Sequence, residues 1–273
     1  MKIYKATELK ETSGDMMLFY GESGVGKSVT SIQTAPAPIL YIMAEGRDVS
    51  KMLKAAQRKD LEIEFAFYEG WDDMIKTIND PSNFKKYKSI IIDSLSHLMS
   101  ICLANEINEE NYSATDKKKD IDKPLTMQVK MSLEGFGAMS GQMLRFTNAA
   151  TRLTSLGHEI ICLARLEQAP KFNRALQAAP ALSGRDYPKH MQGFFDFIGL
   201  VESHVGENGR VEYPPLVSFE SDGSFMAKWT GIMPEGGVRH KIMHIEKILE
   251  VAHYGGIREG KEGLNDKRQG AGL

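Results

Sequence analysis

Cysteine is nearly absent: Cys102 and Cys162 are the only two in 273 residues. Two cysteines cannot build a disulfide framework, and neither has the neighbouring histidine pair that a zinc site needs. Both lie in apolar runs, which predicts buried, reduced thiols and a cytoplasmic protein. Long hydrophobic runs are absent too. No stretch approaches the ~20 apolar residues that cross a bilayer, so no membrane partner is expected. The start, Met1-Lys2-Ile3-Tyr4-Lys5, turns polar at once, and no secretory signal is expected. The chain also lacks an excess of either charge, with a formal net of −2. Any contact with nucleic acid must then rest on a local basic patch.

What remains is ordinary globular composition, 42% hydrophobic and 26% charged. It predicts one large α/β domain over residues 1–254, with a core that needs no staples. The Gly- and charge-rich tail, 255–273, is expected to be disordered. One motif stands out. Gly21-Glu22-Ser23-Gly24-Val25-Gly26-Lys27-Ser28 fits G-x-x-x-x-G-K-[ST] at every fixed position. The apolar run Met16 to Tyr20 precedes it, and a segment able to be helical, Lys27 to Gln33, follows. The glycines let successive N–H groups turn toward phosphate, and a helix N-terminus adds partial positive charge there. Lys27 is expected to reach the β- and γ-phosphates of ATP, and the Ser28 hydroxyl to bind Mg²⁺.

Strand and helix signals alternate along the rest. Strands are expected at Ile39 to Met43, Leu61 to Phe67, Ser89 to Ile92, Ile160 to Ala164, Phe197 to Glu202, Leu216 to Phe219 and Phe225 to Trp229, the last two joined at Asp222-Gly223. Helices are expected at Trp71 to Asn79, Leu95 to Ile107, about Phe136 to Leu156, and His240 to Ala252. Asn108 to Lys130 and Gln168 to Gly193 read as long loops. The alternation predicts a mostly parallel sheet flanked by helices, with an antiparallel hairpin extension near the C-terminus.

Hydrolysis needs more than a phosphate loop. Asp93 ends the run Ile90-Ile91-Ile92, where a metal-organising carboxylate belongs. The alternative for Asp93 is a cap on the helix beginning near Leu95. Its neighbour is Ser94, not a second acid. Glu45, just past the strand Ile39 to Met43, is the other carboxylate placed to hold an attacking water; the alternative there is a solvated loop acid.

In this order, the phosphate loop, Ala44-Glu45 with Asp48, Ile90-Ile91-Ile92-Asp93-Ser94-Leu95, Gln142-Met143-Leu144-Arg145 and Ile160 to Ala164 resemble the RecA-type ATPase core. The chain looks most like the compact phage RecA-like recombinases, grouped with phage nucleotide-binding ATPases linked to single-strand annealing. The resemblance runs from about Lys2 to Ala252. It implies an ATPase using ATP and Mg²⁺, assembled as a filament or ring of identical subunits on single-stranded DNA. A phage single-strand-binding or replication protein is a further partner it suggests, in a bacterial host cytoplasm. It places Arg165 where the family carries a γ-phosphate sensor, usually Gln or His. It places Lys228, in Lys228-Trp229-Thr230, where the family carries cations that reach a neighbouring subunit's site, although Thr230 replaces the second cation. It also puts DNA at the loop Gln168 to Gly193. There Lys171, Arg174, Arg185 and Lys189 face one acid, Asp186, with Phe172 and Tyr187 interleaved as bases' stacking partners. The bland alternative is a solvated basic loop. Lys117-Lys118-Lys119 is a second basic candidate, flanked by Asp116, Asp120 and Asp122. Two other functions fit the same motifs: a nucleotide-dependent loader or regulatory ATPase acting on a replication protein, and a small-molecule kinase.

Overall fold

Buried residues with no polar face dominate the central strands, and this is why the sheet lies in the middle of the molecule. A computed structural model of the chain describes residues 13–46, 48–57, 62–107 and 133–255. Strands β1 (Met16–Gly21), β2 (Ile39–Met43) and β4 (Ser89–Asp93) are buried at every position. Such strands need cover on both faces, the arrangement of a parallel sheet under helical crossovers. With β3 (Ile63–Phe67), β5 (Glu159–Gln168) and β7 (Phe197–Val205) they form a parallel set in the order β3-β2-β4-β5-β1-β7. Beyond β7 the sheet turns antiparallel through β8 (Val211–Ser218) and β9 (Lys241–Ile242), and the short β6 (Ala178–Pro180) pairs with the end of β5. The expected architecture is therefore the observed one.

Alternate residues of each strand feed two cores. On one face, Leu18, Tyr20, Ile42, Ile90, Ile92 and Cys162 meet helices α3 (Trp71–Asn79) and α5 (Leu133–Thr154). On the other, Phe19, Tyr41, Met43, Ile91 and Leu163 meet α1 (Lys27–Thr34), α2 (Val49–Ala56) and α7 (Ile245–Tyr254). Between α3 and α5, α4 (Leu95–His97) runs into a π-helical turn, Leu98–Leu103. A short α6 (Asp186–His190) lies before β7. Burial pushes the Cys162 thiol up to about 12 and the Cys102 thiol up to about 11, so neither ionises readily.

Several expectations need correction. Phe225 to Trp229 is not a strand joined to β8 at Asp222-Gly223. It makes one bridge from Phe225 to Ala178 and one from Lys228 to Ile198, on two different strands. Its polar backbone is satisfied piecemeal, as where the Tyr20 hydroxyl donates to the Met226 carbonyl at 2.6 Å. The true partner of β7 is β8, through a turn at 206–210. Helix α7 begins at Ile245, because Lys241–Ile242 extends the sheet instead. Gln168 to Gly193 is not one loop: it contains β6, α6 and a 3₁₀ turn, Met191–Gly193. The whole 108–130 segment with its lysine run, and the tail from 256, lie outside the described residues.

Candidate functional site

The C-terminal ends of the central strands converge on one cleft. In register, Met43 sits beside Asp93, Asp93 beside Leu163, and Gly21 beside Arg165. The strand β5 thus separates the strand that feeds the phosphate loop from the strand that ends in Asp93. The cleft above them is lined by Gly24, Lys27, Ser28, Glu45, Asp93 and Arg165, among others.

The loop's glycines are required for two different reasons. Gly24 and Gly26 have φ of 85° and 103°, the left-handed region that side chains rarely adopt. Gly21 is needed for space: a Cβ there would sit 2.2 Å from the Val201 carbonyl oxygen on β7. Val25, 6% exposed, pins the loop to the core. Helix α1 then starts at Lys27, and Thr30 N–H donates to the Gly26 carbonyl at 2.9 Å. The Lys27 ammonium lies back along the loop, donating to the Gly21 and Glu22 carbonyls at 2.8 Å each.

Asp93 is 5% exposed, and its Oδ2 accepts the Ser28 hydroxyl at 2.7 Å and the Tyr41 hydroxyl at 2.5 Å. The helix cap is Ser94, whose Oγ accepts from His97 N–H at 3.2 Å, so Asp93 is not spent on capping. A hydroxyl and a carboxylate held together at a phosphate loop are hard oxygen donors of the kind that suit Mg²⁺. Among the described residues no cluster of three or more His, Cys, Asp or Glu side chains makes a separate metal site. The Ser94 hydroxyl also donates to Glu45 Oε1 at 2.9 Å. The serine found where a second acid was sought therefore fixes the acid that comes from β2. His97 Nδ1 lies 3.9 Å from the same Glu45 oxygen.

A family model described as an AAA domain matches residues 13–226, well over half of the chain. The chain belongs to the AAA-domain family. Its fold is that of a P-loop ATPase. No curated protein matches the chain.

The structure brings Lys27, Ser28, Glu45, Asp93 and Arg165 of the AAA domain to one cleft. It adds to the lining Lys51 and Met52 of α2, which the sequence did not single out, and Asp48 before α2, which had entered only as part of the resemblance. The signal was present in Asp48, which caps α2 by accepting Ser50 N–H at 2.9 Å. Lys228 is placed elsewhere. Its ammonium donates to the Gln192 and Phe195 carbonyls at 3.1 and 2.6 Å. Serving a neighbouring subunit would require it to give up both bonds.

Of the residues assigned to DNA, Lys171, Arg174, Arg185 and Lys189 are exposed, and Phe172 is half-buried. Tyr187 is a correction. It is fully buried, and its hydroxyl lies 2.8 Å from the Thr147 hydroxyl under α5. It belongs to the core because the segment around it folds as α6 rather than as an open loop. Replacing Tyr187 with Phe is expected to cost about 1 kcal/mol of stability and to leave DNA affinity unchanged. Urea unfolding and a DNA titration on the same variant check both halves.

Proposed function

We propose that this AAA domain is a Mg²⁺-dependent ATPase that assembles in several copies on single-stranded DNA and promotes phage-type recombination or annealing. In this reading Ser28 and Asp93 hold Mg²⁺ and Lys27 swings from the loop carbonyls to the phosphates. The metal would supply charge neutralisation on the phosphate oxygens. Glu45, held by Ser94, orients the attacking water and takes its proton.

The observation that supports DNA as the partner is the course of β5. Its Leu163, Ala164 and Arg165 line the nucleotide cleft, and the excursion that follows carries four exposed cations. Neutralising Lys171, Arg174, Arg185 and Lys189 together is expected to weaken single-strand binding and to flatten its salt dependence. Each lost phosphate contact lowers the log–log slope by about 0.7. Titrations at several salt concentrations measure it; wild-type binding at every salt would remove this surface from the reading.

The second reading is a loader acting on a replication protein. It is favoured by the exposed apolar side chains Val205, Val211 and Tyr213 on the β7–β8 hairpin beside the phosphate loop. Absence of DNA-stimulated hydrolysis, together with a stable complex with a heterologous protein, would favour it.

A further inference from the structure

Another cleft, of about 430 Å³, is also lined by Arg165. Its walls come from four parts of the chain, the π-helical turn supplying Ser100. Helix α5 supplies Phe136, which is 36% exposed despite its size. The end of β5 supplies Arg165 and Glu167, and the excursion after it supplies Lys171 and the half-buried Phe172. Gly184, with φ of 80°, brings its backbone close to the Phe136 ring; a Cβ there would lie 3.7 Å from the ring edge. Ser183 closes the same wall, its hydroxyl 2.7 Å from that of Ser100 on the π-helical turn.

We propose that this cleft takes one unstacked base of a single DNA strand, with the flanking phosphates on Lys171 and Arg165. The inference rests on the DNA reading above and names where, within it, a base is held. Two aromatic side chains left accessible beside two cations are the composition of a stacking platform for single strands, because every base has a π-face. Glu167 decides which part of the nucleotide enters. Burial pushes its carboxyl above the ordinary carboxylate range, and Lys171 opposes part of that rise. A carboxylate on the wall repels phosphate, yet it accepts N–H groups from a base edge. The base therefore points inward and the phosphates stay at the rim with Lys171 and Arg165. Phe136 fills the role that buried Tyr187 cannot fill, and it comes from an element outside the basic segment.

The test compares an oligodeoxycytidine with an abasic strand of the same length, which keeps the phosphates and lacks the bases. The wild-type chain is expected to bind the first about tenfold more tightly. Phe136→Leu and Phe172→Leu are each expected to lose most of that preference while keeping the salt slope. Phe136→Tyr, which retains a ring, is expected to keep the preference. Thermal melting of each variant shows that the fold survives. If the wild type binds DNA but the leucine variants keep the preference, or if the wild type does not distinguish the two strands, the base pocket is overturned and the DNA reading stands. If the wild type binds neither strand, the DNA reading fails, and the pocket with it.

Discussion

Lys27→Ala abolishes tight ATP binding and leaves the fold standing. The ammonium now satisfies two loop carbonyls, Gly21 and Glu22. The Glu22 carbonyl is exposed and water replaces its lost donor at little cost, while Gly21 ends the buried strand β1, so its carbonyl accounts for a small loss of stability that leaves the fold intact. Toward phosphate no such replacement exists. A charge-assisted hydrogen bond is worth roughly 1.5–3 kcal/mol, so losing two weakens binding by about 10²-fold or more. Calorimetric titration of the purified variant gives the affinity, and its unfolding midpoint reports the fold. A variant that binds ATP as the wild type does would sink the assignment of the cleft.

Glu45→Gln has the opposite signature, with nucleotide bound and turnover lost. The amide keeps the shape and can still accept the Ser94 hydroxyl that holds Glu45 at 2.9 Å. It cannot take a proton from water. General-base catalysis contributes typically about 10²–10⁴-fold, and that is the loss expected in single-turnover hydrolysis. Unchanged chemistry in that experiment moves the base to another residue, whereas a loss of ATP affinity would mean that Glu45 supports the site's shape instead.

Much of this was legible in the chain because its physics is local. The phosphate loop is contiguous, and its glycines answer to backbone angle and close approach. The fully buried strands β1, β2 and β4 were read from uninterrupted apolar runs bounded by turn residues. That Glu45 and Asp93 meet at one cleft followed from the rule that strand ends converge in a parallel sheet. What failed depended on distant partners. Tyr187 looked like an exposed aromatic among cations, and only the packing of α6 under α5 shows it buried. Phe136 sat unnoticed in a helical pattern, since no periodicity tells which helix end faces a cleft. Lys228 stands in a segment that alternates like a strand, but its neighbours are single bridges to β6 and β7. The antiparallel turn that matters, at 206–210, lies one segment earlier than the Asp222-Gly223 signal suggested.

Arg165 lines both clefts, so the two share one side chain of β5. Physiological salt screens charge only over ~8 Å, so a guanidinium shared by two sites acts on both. On the proposed reading a polyanion occupies each cleft, and both draw on a single guanidinium. Full neutralisation of one leaves less for the other. Within one chain the direct electrostatic coupling between nucleotide and DNA is therefore antagonistic, and by linkage equally so in both directions. It weakens as salt is added, and a second cation at position 165's neighbours would relieve it. Cooperative binding of the two ligands, where it is measured, then has its origin in assembly of subunits or in a change of shape, and not in the charges of the isolated domain.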